Sequence, residues 1–342
     1  MWVGLLVFGV AFALRFYINR GQTWGTPDEK AYSIYAKSWR IGESYHKQVN
    51  GFLSKPDLEI PPTRYGFFAV CALIVGALRS NSCYQVVTWV ATVSGALASW
   101  VAYQVTHDWK SSILVASSAL SLILSRRALQ DTYTALLVFL GIWAIAINNA
   151  WLLGGSVFLA LASREALLLY LPALLIAWIL KTGQWMVGPS ALGLGVSLAV
   201  LTFYAAGGRK LLEIFHKLRQ STDYVRRLQS GMPHRVLVDL ALVSPVTTLG
   251  AFLACTQAPI WLVSFAGIAL ITHAFITPKN VRFMLIIDLT ARMFCAWLPE
   301  PLAWGILGAG LVADLYLYRV FKDCRDSVTY NLVVQTNMYQ EK

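Results

Sequence analysis

"YGFFAVCALIVGALR", residues Tyr65 to Arg79, is apolar almost from end to end and bounded by polar chain on both sides. At about 1.5 Å per residue it reaches only some 22 Å, short of a hydrocarbon core about 30 Å thick. It reads either as a short span or as a re-entrant piece. The choice decides the topology, because most of the surrounding chain consists of similar runs. If 65–79 and some of the other short runs stay on one side, the polar stretches at Asp28, Arg126–Asp131, Arg164–Glu165, 207–235 and Lys279–Arg282 share a face. If every run crosses, several of them land opposite Asp28.

Composition sets the class. Of 342 residues, 57% are hydrophobic and 13% charged, where a soluble domain carries about 25% charged residues. Further apolar runs are predicted as helices over roughly 2–18, 86–104, 111–125, 130–148, 151–163, 166–180, 186–206, 236–254, 259–276, 283–298 and 301–318. The expected fold is all-α, a polytopic membrane protein of about 10–12 transmembrane helices with interfacial amphipathic helices. Residues 1–318 form its single transmembrane domain and 319–342 a short polar tail. The run Trp2–Ile18 has no small-residue cleavage site after it and reads as a retained helix rather than a signal peptide. Five cysteines (Cys71, Cys83, Cys255, Cys295, Cys324) lie mostly in apolar runs without metal-type spacing, so disulfide and zinc readings are weak.

The net charge is +11, concentrated in the polar segments 19–64 and 207–235. A soluble nucleic-acid reader can be this basic but not this apolar, which excludes nucleic acid as the partner. The fitting anionic partners are membrane lipid head groups or a lipid-linked phosphate.

The first polar segment opens with "TWGTPDEKAYSIYAKSWR", Thr23 to Arg40. Thr26 as N-cap, Pro27 at the first helical position and Glu29 closing a T-x-x-E box mark a helix start. Asp28 lies in the first turn, where the helix dipole favours a carboxylate. Lys30, Ser33, Lys37 and Arg40 form one stripe, with Ala31, Ile34, Tyr35 and Trp39 largely away from it. That pattern suits a helix in the interface plane, aromatic side down. The second segment behaves alike, with Leu211, Ile214, Phe215 and Leu218 against Arg209, Lys210, Lys217 and Arg219.

Charged residues at membrane depth are costly and are functional candidates by default. They are Asp28, Glu29, Arg126, Arg127, Asp131, Arg164, Glu165, Lys279 and Arg282 at the edges, and Asp239, Asp288, Arg292 and Asp314 within predicted helices. Each also has a plain structural reading, a loop pair for Arg126–Asp131 or a hydrated turn for Arg164–Glu165.

Taken in order, these stretches resemble the GT-C superfamily of integral membrane glycosyltransferases, whose members include protein O-mannosyltransferases and lipid A aminoarabinose transferases. "TPDEKAYSIYA" is similar to the acidic pair after the first helix, and "EIPPTRYGFF" to the Pro-Pro entry into an apolar run. "ALSLILSRRALQDTYTALLVFL", "FLALASREALLLYLPALL" and "TPKNVRFMLIID" resemble the later motifs. The resemblance covers residues 1 to about 290, and its weight lies in the order rather than in any one motif.

It implies a polyprenyl- or dolichyl-phosphate-sugar donor, a hydroxyl acceptor on a glycan, lipid or protein, and inversion by direct displacement. It places the site on the non-cytoplasmic face of a bacterial inner membrane or the ER. Asp28 is then the general base, with Glu29 and Asp131 as further acids. Arg64, Arg126, Arg127, Arg164, Lys279 and Arg282 hold the leaving phosphate, and Glu165 and Tyr133 contact acceptor or sugar. No metal or other cofactor is required, although a divalent metal has room in the scheme. The chain lacks a large soluble C-terminal domain. It has Ile60 where relatives often place His or Lys, and it has no acidic-x-acidic motif. With a cytoplasmic N-terminus nearly all basic residues are external, the reverse of the positive-inside preference.

Two other classes compete. A transporter or flippase for a lipid or anionic solute would use the same arginines as a path, but it lacks matched Gly/Pro-interrupted halves. A lipid-binding scaffold explains the basic stripes and leaves the acids at the membrane edge unexplained.

Overall fold

The computed structural model describes residues 2–18, 27–40, 64–79, 82–205, 213, 232–275 and 281–321, and for Pro27, Asp28, Lys30, 38–40, Val281, Phe283 and Phe321 not the side chains. Among the described residues the protein is helical throughout, with no strand. The helices are α1 (Trp2–Ile18), α2 (Pro27–Arg40), α3 (Tyr65–Ala77), α4 (Cys83–Thr106), α5 (Trp109–Ser117), α6 (Ala119–Ser125), α7 (Asp131–Ala146), α8 (Ala150–Ser163), α9 (Leu171–Thr182), α10 (Val187–Ala205), α11 (Arg235–Val243), α12 (Pro245–Ala254), α13 (Ile260–Phe275), α14 (Leu285–Phe294) and α15 (Glu300–Phe321). A 3₁₀ turn, Glu165–Tyr170, leads into α9, and another, Val281–Met284, leads into α14. Four stretches are long and apolar enough to cross a membrane: Cys83–Thr106, Glu165–Thr182, Val187–Ala205 and Glu300–Val320. The bent pair α11–α12 makes a fifth.

Side-chain contacts give the directions. Gly4 abuts Tyr103 and Gln104 while Phe16 meets Trp89, so α1 and α4 are antiparallel. Thr92 donates to the Ser125 carbonyl and Thr106 pairs with Ser111, so α5 and α6 together return along α4. Thr132 donates to the Ala91 carbonyl and Trp100 meets Trp143, which makes α7 parallel to α4. Arg164, just past α8, pairs with Asp131 at the start of α7, so α8 comes back to that end. The close approach of Gly154 and Gly195 sets α8 parallel to α10; a Cβ on Gly195 would lie 2.5 Å from the Gly154 carbonyl oxygen. Tyr170 hydrogen-bonds to His273, which returns α13 to the same end. Lys110 meets Glu300 and Ser117 meets Asp314, so α15 runs parallel to α5–α6.

The end of the bundle that holds Arg164 and Asp131 therefore also gathers the end of α1, the start of α4, the 126–130 turn, the end of α10 and the 281–284 turn. It is the basic end. Helix α3 belongs to it entirely. Its start touches Ala162 and, through Tyr65, the Ala199 carbonyl and Thr202, whereas Cys71 lies within electrostatic reach of Cys83. Helix α3 thus lies across this end and does not run the length of the bundle. With α3 set aside, the remaining runs alternate direction and bring the predicted polar stretches to one end without any other short run staying behind. That corrects the expectation that, with 65–79 set aside, these stretches share one end only if some of the other short runs also turn back.

Three predicted helices are broken. The run 111–125 stops at Ser118 (φ −42°, ψ 117°), whose hydroxyl caps the next helix by accepting from the Ser121 N–H at 3.1 Å. The run 236–254 bends by 113° at Ser244 before Pro245, as expected where proline removes a backbone donor and restricts its predecessor. The run 283–298 is helical in α14 alone, between two 3₁₀ turns. The face predicted for α2 is also corrected. Glu29, Tyr32, Ser33, Tyr35 and Ala36 are buried, while Ile34 and Lys37 are exposed. The reason is local packing: Tyr32 meets Phe67 edge-on and Tyr35 stacks on Phe68 at 4.8 Å. Helix α2 thus docks on α3 and does not lie by itself in an interface. The capping residue Thr26 and nearly all of the second amphipathic segment, 207–235, lie outside the described residues.

The outer surface is graded. Trp2, Trp109, Trp151, Trp185 and Trp304 are exposed around the end opposite the basic one, and Tyr17, Tyr204, Phe275 and Tyr316 are exposed toward the basic end. Between them α10 and α15 present Leu194, Leu198, Leu201, Leu311, Val312 and Leu315 outward.

Candidate functional site

The basic end is assembled around the turn "RRALQD", Arg126 to Asp131. Asp131 is the first residue of α7, and its Oδ1 accepts from Arg164 Nη1 at 2.8 Å, with both side chains buried. Arg164 is held in extended backbone (φ −160°, ψ 112°) between α8 and the 3₁₀ turn, which aims its side chain back across the end of the bundle. Arg282 and Arg64 also lie within electrostatic reach of Asp131. Arg282 comes from the 281–284 turn, Arg64 from the residue before α3.

Gln130 links these groups. In the orientation that satisfies both ends of its amide, it donates to the Ser163 carbonyl at 2.9 Å and accepts from Arg64 Nη1 and Nε at 3.2 Å each. Arg64 in turn donates to the Tyr32 hydroxyl and lies over the Tyr32 ring at 5.6 Å, a geometry that favours a guanidinium on an aromatic face. This contact ties α2 to the Asp131 cluster. Burial pushes the Tyr35 phenol up to about 12, against the opposing pull of Arg64, so it stays neutral.

A second group adjoins the first. The Tyr84 phenol lies within electrostatic reach of Glu29, Arg127 and Arg126. Glu29 is 1% exposed and lies within electrostatic reach of Tyr84, at the start of α4. Among the described residues, five guanidiniums (Arg64, Arg126, Arg127, Arg164, Arg282) thus gather with the carboxylates of Glu29 and Asp131, and with Glu165 next to Arg164, an excess of positive charge suited to an anion. Asp131 is poorly suited to take a proton, because its charge is already engaged by Arg164 at 2.8 Å. It is better suited to orienting cations or a hydroxyl.

Of the residues predicted from sequence, the structure brings Glu29, Arg64, Arg126, Arg127, Asp131, Arg164 and Arg282 to this one end. Tyr133 follows two residues further along α7, with its ring 5.3 Å from Phe67 and its hydroxyl on Ser163. Glu165 is half-buried beside Arg164. The side chain of Asp28, and Lys279 altogether, lie outside the described residues.

Sequence reasoning passed over Gln130, Tyr32 and the pair Tyr170–His273, which sits within electrostatic reach of Arg164. Gln130 carried a signal, being the polar neighbour of a candidate acid. Tyr32 and His273 carried none, because their roles depend on which helices meet.

No family model matches the chain, and no curated protein is similar to it.

Proposed function

We propose that this protein is an integral membrane glycosyltransferase that moves a sugar from a polyprenyl- or dolichyl-phosphate donor to a hydroxyl acceptor at the basic end. The observation that carries the proposal is the convergence there of five arginines with Glu29 and Asp131 from separate elements of the chain. Membrane residence is supported by the exposed apolar faces of α10 and α15 between two aromatic tiers, the arrangement of a bilayer-embedded surface with interfacial Trp and Tyr. The leaving group is a phosphate with an apolar tail, so cations beside an apolar surface match it. Asp28, on the docked helix α2, takes the acceptor proton.

The test is sugar transfer from a panel of polyprenyl-phosphate sugars in membranes containing the parent protein or Asp28→Asn. Loss of a general base is expected to reduce transfer by about 100-fold or more with normal accumulation of the protein. Transfer by the variant at the parent rate would move the base to Glu29, and no transfer by the parent with any donor would overturn the reading.

The resemblance also puts the basic end on the non-cytoplasmic face. Lys37, exposed on α2, reports on that directly. In intact cells a Lys37→Cys variant is expected to react with a membrane-impermeant maleimide. Reaction only after permeabilisation would reverse the face, in the direction that positive-inside favours.

The transporter reading has one observation on its side: two helices are broken at mid-bundle, at Ser118 and Ser244, beside buried charges. Against it, several groups freed at the Ser118 break are already bonded to protein, among them the Leu114 and Ala116 carbonyls and the Ala119 N–H. Arg292 alone donates to Leu114, Ser244, Asp288 and Asp314.

A further inference from the structure

Apart from the Arg235–Asp239 pair on α11, four charged side chains among the described residues lie inside the bundle away from the candidate site: Arg15, Asp288, Arg292 and Asp314, each between 0% and 3% exposed. Three of them are in direct contact. Arg292 donates through Nε to Asp288 at 2.9 Å and through Nη1 and Nη2 to Asp314 at 2.6 and 2.8 Å. Two carboxylates against one guanidinium leave this group one negative charge in excess. Arg15 shows the opposite imbalance. It donates to Ser125 Oγ at 3.2 Å, Ser121 Oγ at 2.9 Å and the Ala11 and Ala116 carbonyls at 3.2 and 3.0 Å, all of them neutral. Its place depends on Gly95, where a Cβ would lie 2.6 Å from Arg15 Nε.

Both imbalances meet at the break between α5 and α6. A helix that stops leaves its last carbonyls and the next helix's first N–H groups without partners. Here Arg292 takes the Leu114 carbonyl at 2.8 Å and Arg15 takes that of Ala116 at 3.0 Å. Asp314 accepts from Ser117 Oγ at 2.9 Å and the Ala119 N–H at 3.4 Å. Asp288 accepts from Ser118 Oγ at 2.7 Å, and that same oxygen accepts from the N–H of Ser121, whose side chain holds Arg15. A hydrogen-bonded path therefore joins Arg15 to Asp288 through two serines.

We propose that Arg15, Asp288, Arg292 and Asp314 act as one electrically neutral unit clamping the α5–α6 break, and that the clamp positions the RRALQD turn at the basic end. Helix α6 runs straight into Arg126, and α14, which carries Asp288 and Arg292, continues directly from the turn that carries Arg282. Buried charge is tolerated when balanced and bonded and is strongly unfavourable when one member is removed. The four residues are positioning residues; none of them is placed at the reacting groups, and the proposal does not rest on the transferase reading.

The experiment is a cycle on the full-length protein in detergent micelles: Arg15→Met, Asp288→Asn and the double variant. It follows the thermal midpoint and hydrogen exchange over residues 119–131. Each single variant is expected to lower the midpoint by roughly 10 °C and to speed exchange in 119–131. The double variant, again neutral, is expected to recover more than half of both effects. Additive losses in the double variant would overturn the proposal, as would unchanged exchange in 119–131 with a lowered midpoint. Should Arg15→Met not accumulate, Arg15→Lys keeps the charge and is expected to accumulate with a smaller loss; failure of the lysine variant to accumulate would also overturn charge balance as the cause. Neither readout involves sugar transfer, so its outcome and that of the transfer assay are independent.

Discussion

Arg292→Met is expected to prevent most of the protein from accumulating in folded form, the largest stability loss of any single substitution outside the basic end. Arg292 is completely buried, and its five N–H groups are engaged by Asp288, Asp314, Ser244 and the Leu114 carbonyl. Methionine fills similar volume but strands Asp288 and Asp314 beside each other without a cation. Removing one partner of a buried ion pair costs about 3–5 kcal/mol, a large share of a stability of about 5–15 kcal/mol. Here two carboxylates are stranded together, and Ser244, at the 113° bend between α11 and α12, loses its donor from Nη2. Arg292→Lys is expected to fall between the two, since an ammonium keeps the charge but cannot serve four partners in a plane. Arg292→Met combined with Asp288→Asn leaves Asp314 to balance Arg15 and is expected to recover part of the loss. The measurement is the monodisperse fraction after detergent extraction, together with the thermal midpoint. A single variant as stable as the parent would show that the network contributes little.

The helical class and most helix boundaries were legible because apolar runs and helix-start residues are local features. Run 131–146 differs from its predicted limits by a residue or two, and α2 starts at Pro27 as predicted. The breaks were less visible. Pro245 carried a signal for one that the predicted run 236–254 passed over, whereas Ser118 is an ordinary residue in an apolar run, and its break exists because Arg15, Asp288 and Asp314 supply the partners a stopped helix needs. The predicted face of α2 failed for a related reason. A stripe of Lys30, Ser33 and Lys37 describes a helix in an interface, but Tyr32 and Tyr35 found Phe67 and Phe68 of α3 instead.

At the basic end, ordered motifs along the sequence pointed to Asp131, Arg164 and Arg282, since each is a charge at the edge of an apolar run. Gln130 and Tyr32 became visible only once α3 and α7 were seen to meet. Arg15 had the same signature as the edge arginines, a charge inside the apolar run 2–18, yet pairs with no acid among the described residues. One residue type thus serves two purposes here, holding backbone at the break and gathering positive charge at the end, and only the partners separate them.

Arg164→Gln tests that separation at the site itself. Arg164 contacts Asp131 at 2.8 Å and lies near the Tyr170–His273 pair, so it can act as a partner for Asp131, as a holder of the donor phosphate, or as both. The single variant is expected to lower sugar transfer by about 100- to 1000-fold, the usual effect of losing one preorganised donor to a developing charge. Its stability loss should be smaller than that of Arg292→Met, because Arg282 and Arg64 remain within electrostatic reach of Asp131. Adding Asp131→Asn removes the stranded carboxylate and is expected to restore the thermal midpoint. The two roles then predict different activities. If Arg164 only balances Asp131, the double variant transfers sugar as well as Asp131→Asn alone, the variant that lacks only the orienting carboxylate. If it holds the phosphate, stability returns and transfer does not, because neither amide supplies a charged, bidentate donor. The second result is the one expected, and recovery of transfer in the double variant to the Asp131→Asn level would reassign Arg164 to a structural ion pair.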